Sequence, residues 1–348
     1  MRLMNELLDE LNIKTVLSYA RAAQPRNYVG PTLFPTRNTN ELTFEYWKDE
    51  NLLPVMAKVQ AYGAETPIAS REGVEKVKGE IPPIKRKINL DERYLIALKR
   101  EGLGDKEIVK NAVFNDLDKM IKAVNDRIEA LRIEAITTGK LTLAENGVIM
   151  NVDYGVPEDH KDSLETNALW TATTTAEPIT NILEWVDQIV SDTGIRPTRA
   201  LTSNTVVANM LKNDQIRELI HGSEGSTRAV SLPMLNNLLA GMGLPTVATY
   251  DLKTRIEAAN GTLTTSRFFL ENMFVLLPPD PLGETLYGPT AEALMSDAGL
   301  NAQEIAGMFA SVYGTQDPPS LWTKVAATAI PTMPMADAIF LADVIDLS

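Results

Sequence analysis

The stretch Asp105–Thr138, DKEIVKNAVFNDLDKMIKAVNDRIEALRIEAITT, reads as one uninterrupted amphipathic helix. Val109, Val113, Leu117, Met120, Ile121, Val124, Ile128, Leu131 and Ala135 recur at steps of three and four, the spacing that gathers side chains onto one helical face. Asp105 stands where an N-cap carboxylate accepts from the first free amides, and Gly139 supplies the stop. No Pro or Gly interrupts the interval. At 1.5 Å per residue it makes a rod of about 50 Å, roughly three times the ordinary helix. A rod with a single apolar stripe has to lie across something, either a sheet or a neighbouring subunit. The plain alternative is a core helix of a large α/β enzyme.

Outward from the rod, LTLAENGVIMNVDYG presents two short β runs around Asn146-Gly147, a hairpin signal because both turn positions tolerate φ > 0. On the other side, residues 53 to 89 read as extended strand, loop and extended strand: LPVMAKVQAYG, AETPIASREGVEKVKGE, IPPIKRKINL. Pro67, Gly73, Gly79 and Pro82-Pro83 exclude a helix and make central-sheet pairing awkward. What remains is a long arm or hairpin, with a disordered surface loop as the alternative. Before it come short helices at Leu3 to Leu11 and Thr15 to Ala23, then extended chain with aromatic anchors around Phe44 and Trp47. That segment needs another part of the fold, or another molecule, to pack on.

Downstream, residues 156 to 175 read as a polar surface connection anchored by Trp170. A second region begins near Pro178. It has helices at Ile179 to Thr193, Thr205 to Leu211 and Pro233 to Gly241, and strands at Arg199 to Thr202, PTVATYD and MFVLLPP. Ile220 to Ala229 is a Gly/Ser-rich loop, Asn260-Gly261 marks another hairpin, and Ala338 to Leu347 is apolar enough for a central strand. Strands separated in sequence from the helices between them make this α+β.

Composition narrows the function. The 348 residues suffice for two compact domains, or one with extended arms. A formal charge of −13 disfavours a nucleic-acid-binding regulator. The absence of Cys removes disulfides, thiolate metal sites and a Cys nucleophile, and only His160 and His221 are present for histidine chemistry. No apolar run approaches 18 residues, so no membrane span or membrane partner is expected, and the N-terminal MRLMNELLDELNIK lacks the core of a signal peptide. Gly139-Lys140 lacks the upstream Gly of a phosphate-binding loop, and Gly241-x-Gly243 lacks the third Gly of a dinucleotide fingerprint. His221 beside Ser223 and Glu224, and the pair Asp343 and Asp346, read as surface groups. No catalytic, cofactor-binding or metal-ligating residue is expected.

Charge is unevenly placed. Residues 71 to 100 carry nine basic side chains against five acidic, a net of +4, whereas residues 271 to 348 carry Lys324 against ten acidic, a net of −9. A basic arm and an acidic tail third could be complementary between copies of the chain. Ordinary solvated charge is the alternative at any one residue.

The order of parts resembles the major capsid proteins of tailed phages, the Hong Kong 97 shell fold, and within them the phage lambda major capsid protein (gene E product) family. The echoes are GKLTLAENGVIMNVDYG at the exit of the rod, TYDLKTRIEAANGTLTTSRFFLENMFVLLPP, and the closing DPPSLWTKVAATAIPTMPMADAIFLADVIDL. The foot IPPIKRKINL matches only approximately. The resemblance implies an N-terminal arm over 1–52, an extended loop over 53–89 and a peripheral domain over 90–177 whose spine helix is 105–138. It further implies an axial domain over 178–262, a return through the peripheral domain over 263–320 and a C-terminal axial strand region over 321–348. The spine would be cored by Val113, Leu117, Val124, Ile128 and Leu131. Contacts between subunits would fall on Arg71, Glu72, Lys76, Lys78, Lys85 and Arg86 of the arm, and on His221, Glu224 and Arg228 near the five- and six-fold axes.

The function so implied is self-assembly into pentamers and hexamers of an icosahedral phage head, put together in the host cytoplasm. Partners would be further copies, a separate scaffolding protein because no room remains before the spine for a fused one, a portal, possible decoration protein, and packaged DNA touched non-specifically. The rivals are an encapsulin-like compartment, another phage structural component, and a cytosolic α/β enzyme.

Overall fold

The structure is a computed structural model, and it describes residues 26–49, 74–90, 105–222, 228–258, 260–294, 304–305, 307–317 and 319–347, with isolated positions between. The expected helices before residue 26, Arg71, Glu72, Glu224 and most of the segment 53–73 lie outside the described residues.

After a helical turn at Gly30–Leu33 the chain forms β1 (Thr36–Asn38), β2 (Thr43–Asp49), β3 (Val74–Glu80) and β4 (Pro83–Leu90) before the long helix α1 (Asp105–Thr138). The hairpin β5 (Lys140–Glu145) and β6 (Val148–Asp153) follows at once. Gly139 takes φ +69° and donates its N–H to Ala135 O at 3.0 Å, and Asn146 and Gly147 turn the hairpin at φ +49° and +83°. Then come β7 (Lys161–Ser163), α2 (Pro178–Thr193), β8 (Arg199–Thr202), α3 (Asn204–Lys212), α4 (Asp214–His221), α5 (Leu232–Gly241), β9 (Thr246–Thr249), β10 (Lys253–Glu257), β11 (Leu263–Arg267) and β12 (Met273–Leu277). The last elements include β13 (Glu284–Tyr287), β14 (Glu304–Ile305), β15 (Met308–Gln316), β16 (Pro319–Thr332) and β17 (Phe340–Asp343).

The stripe of α1 is covered by a sheet of order β1-β13-β16-β15-β14, with β4 on the free side of β16. Val113, Leu117, Met120, Val124 and Ile128 pack on Leu321, Val325, Ala327 and Ala329, alternate residues of β16, and on Leu90 of β4. Alanines at the crossing let the helix approach closely. Beyond Ile128 the single stripe gives way: Glu129, Leu131, Arg132, Ile133, Ala135, Ile136 and Thr137 are all buried, so the last third of the rod is covered on most sides, with only the face of Ala130, Glu134 and Thr138 left partly open. A stripe was the wrong model there because β5, β12, β17 and the Gly30–Leu33 turn all meet α1 at that end.

Three further expectations are corrected. β16 spans 14 residues and lies beneath α1, so residues 319–332 join the sheet that covers the long helix and not the sheet that holds β17. IPPIKRKINL is not a foot of the arm. It is β4, an edge strand in antiparallel register from Leu90↔Leu321 to Pro83↔Thr328, with Pro83 at the first position where a missing N–H is tolerated. The partner of β3 is β2, running Thr43↔Glu80 to Asp49↔Val74, which brings the aromatic run around Trp47 into the arm.

The second sheet has the order β7-β17-β12-β8-β9, antiparallel about β12 and parallel at both edges. MFVLL in β12 is buried on both faces, as its unbroken apolar run requires. Residues 156–175 are more than a surface connection, since β7 joins this sheet and Trp170 is wholly buried. Trp170 stacks on Trp185 with Phe274 edge-on at 5.0 Å, and Trp185 stacks on Phe340 at 5.3 Å. Helix α4 went unread in the sequence. It starts on Asn213, whose side chain accepts from the Ile216 N–H in the manner of an N-cap.

Candidate functional site

Two polar turns of α1 form the best-built polar site among the described residues. Glu129 is wholly buried; its Oε1 accepts from the Gly30 N–H at 2.9 Å and from the Tyr250 hydroxyl at 2.7 Å. Arg132, one turn on, lies 3.5 Å from Glu129 Oε2 and donates from Nε to Thr285 Oγ1 at 2.8 Å. One turn earlier, Asp126 takes both carboxylate oxygens to Arg26 Nη1 at 2.9 and 3.0 Å, and accepts from the Tyr28 hydroxyl at 2.6 Å and the Thr254 hydroxyl at 2.8 Å. Both tyrosines are pushed far up the pH scale. Burial is the main cause, and it is reinforced for Tyr28 by its bond to Asp126 and for Tyr250 by the neighbouring Glu129 charge.

This arrangement fastens the N-terminal segment 26–34 and the β10–β11 hairpin to the spine. No nucleophile and base face one another in it. Among the described residues no group of three or more His, Asp or Glu is placed to hold a metal, and no helix is long and apolar enough to cross a membrane. The sequence did carry a signal for the site: Glu129 and Arg132 interrupt the apolar run IEALRIEAI, where polar side chains have to find buried partners.

The charged arm residues are placed as follows. Lys76 pairs with Glu45 across the β2–β3 ladder and sits 5.2 Å from the centroid of the exposed Trp47 ring. Lys78 is exposed on the same strand, opposite Glu45 in register. Lys85 binds Glu292 at 2.9 Å and Arg86 binds Glu257 at 3.2 Å, so these two charges are engaged inside their own subunit. Glu292 also binds Lys324; burial would raise its carboxyl, but hydrogen bonds from Lys324 and Lys85 outweigh that and hold it down at about 2. His221 closes α4 with Nε2 3.4 Å from Ala229 O, and Arg228 is exposed beyond the loop. The basic stretch and the acidic tail third do meet, but at Lys85 on β4 and Glu292 they meet within one chain.

The same architecture occurs in solved structures. A phage-related protein from Bordetella bronchiseptica RB50 matches with a TM-score of 0.59 at 15% identity, over 96% of this chain and 97% of that one. A protein of an Escherichia coli CFT073 prophage, assigned as a capsid protein, matches with a TM-score of 0.60 at 15% identity, over 97% and 98%. At such identities the likeness concerns the fold. No curated protein sequence matches the chain. The family model of phage major capsid protein E matches residues 14–344, nearly the whole sequence, and the chain accordingly belongs to the phage major capsid protein E family, the subunits of the phage shell.

Proposed function

We propose that copies of this chain close into pentamers and hexamers that tile the head of a tailed double-stranded DNA phage. In that arrangement the module built on α1 and the sheet of β16 forms the peripheral part of each capsomer, and the module of α2 to α5 forms the part about its axis. The observation that carries this reading is the β2–β3 arm. Its Trp47 is left 58% exposed on the outer face of a ladder whose other face packs on the body through Phe44, Lys48 and Val77, and Leu42, just before β2, is 60% exposed. Apolar groups left open on an outer face in this way are covered when a neighbouring subunit lies against them. Lys76 and Lys78 on the adjacent strand β3 would meet that neighbour, and Lys85 and Arg86 on β4 would anchor the chain that follows the arm. A separate scaffolding protein, a portal and the packaged genome are the partners such a head requires. A subunit of charge −13 gives DNA no adhesive wall.

Negative-stain microscopy of the purified protein tests the proposal. Shells, or five- and six-membered rings, are expected. A protein that stays monomeric at every concentration, with or without co-expressed scaffold, overturns it.

A further inference from the structure

The α5 helix carries a surface unlike the rest of the chain. Between Arg228 and Asp251 the sequence AVSLPMLNNLLAGMGLPTVATY holds no charged residue, in a chain that is 23% charged as a whole. Leu235 and Leu239 fill the core under the second sheet. The opposite face is left to solvent: Met234 is 37% exposed, Asn237 and Gly241 are exposed, Leu238 is half-buried, and Met242 just past the helix end is 38% exposed. Positions 234, 237, 238 and 241 are three and four apart, so they form one continuous face. α4 packs beside α5 and adds Leu219, 49% exposed, at its margin.

The face is held rigidly, and the sheet edge next to it is closed. β9 is an edge strand, and the Asn236 side chain occupies the backbone of Val247: Nδ2 donates to Val247 O at 3.0 Å and Oδ1 accepts from Val247 N–H at 2.8 Å. A partner strand therefore cannot add at that point.

We infer that the uncharged face of α5, centred on Met234, Leu238 and Gly241, is a docking surface for a second copy of this chain. The inference rests on the shell reading and gives it a specific contact. Copies that each carry −13 repel over most of their surfaces, and they approach at least cost where charge is missing. Cores of interfaces between identical chains are depleted in charge and enriched in Met, as this face is. A basic partner would be recognised by carboxylates, which the face lacks. A ten-residue helix covers a few hundred Å², below the roughly 800 Å² per partner of a free-standing complex. It is thus one contact in a ring and not a dimer interface by itself.

Two measurements test this. A Cβ built on Gly241 meets nothing within 4 Å, so the subunit has room for the side chain of Gly241→Glu, which places a charge at the C-terminal end of the face. The full-length variant should melt within a few degrees of the parent and fail to form rings or shells, whereas Gly241→Ala should assemble. Because the chain has no Cys, Met234→Cys introduces a unique thiol. A maleimide should label it at least tenfold more slowly in particles than in dissociated subunits. Assembly of Gly241→Glu at parental yield, or equal labelling in particles and subunits, overturns the inference while leaving the shell reading intact. Failure of the parent protein to assemble overturns both.

Discussion

Glu129 accepts the backbone N–H of Gly30 at 2.9 Å across 99 residues of sequence, and this bond joins the N-terminal segment to the enclosed end of the spine helix. The fit is close. A Cβ on residue 30 would fall onto the Glu129 carboxylate and the Arg132 side chain. Gly is thus needed here for the approach of backbone to side chain.

Gly30→Ala should destabilise the subunit, and so should Glu129→Leu, by about 3 kcal/mol. The latter strips the Gly30 amide and the Tyr250 hydroxyl of their acceptor and leaves the Arg132 guanidinium buried without its carboxylate. Thermal melts should fall by several degrees in each. The coupling is the sharper test. In a Glu129→Ala background there is more room, so the penalty of Gly30→Ala should shrink, and additive penalties would show that the two residues do not constrain each other.

The periodicity of α1 could be read directly because it is a local property: residues three and four apart share a face whatever covers them. The Asn146-Gly147 turn and the all-apolar MFVLL strand were legible for the same reason. What covers the helix was not. Half of β16 is Ser, Thr and Ala, and Pro331 lies inside it, so its period-two pattern carries little apolar contrast, and its pairing with β4 spans more than two hundred residues. The polar site was missed in a similar way. Asp126 lies off the apolar stripe, with nothing in the local sequence to pair it, yet Arg26, Tyr28 and Thr254 converge on it from positions 98 to 128 residues distant. Lys85 and Arg86 were legible as charges, while their partners Glu292 and Glu257 were set by the fold.

Leu117 tests the covered stripe. Its side chain is wholly buried between α1 and the sheet. Leu117→Ala should cost roughly 2–5 kcal/mol through lost burial and an unfilled cavity. Leu117→Asp places a charge where no partner exists and should abolish soluble, folded protein. A substitution on the exposed side of the same helix, Lys119→Ala, should leave the melting temperature nearly unchanged, because its pairing with Asp116 is a surface contact. Soluble, cooperatively melting Leu117→Asp would show that the stripe is not what seats the helix.

Glu292 gives the subunit a defined response to acid. Its carboxyl, ordinarily near 4.5, is held at about 2 by Lys85 and Lys324, which outweigh the opposing effect of burial. The folded chain therefore keeps this group ionised at pH values where the unfolded chain protonates it. Its contribution is complete above about pH 4.5 and is lost as the pH falls towards 2. The most it can supply is about 3 kcal/mol, shared between two lysines on β4 and β16 and thus between the edge strand and the strand beneath the spine. Glu292→Gln keeps the shape and removes the charge. At pH 6 it should melt several degrees below the parent, and the gap should narrow steadily between pH 4.5 and 2.5. A gap that stays constant over that range would mean that the lysines do not hold the Glu292 carboxylate in its charged form.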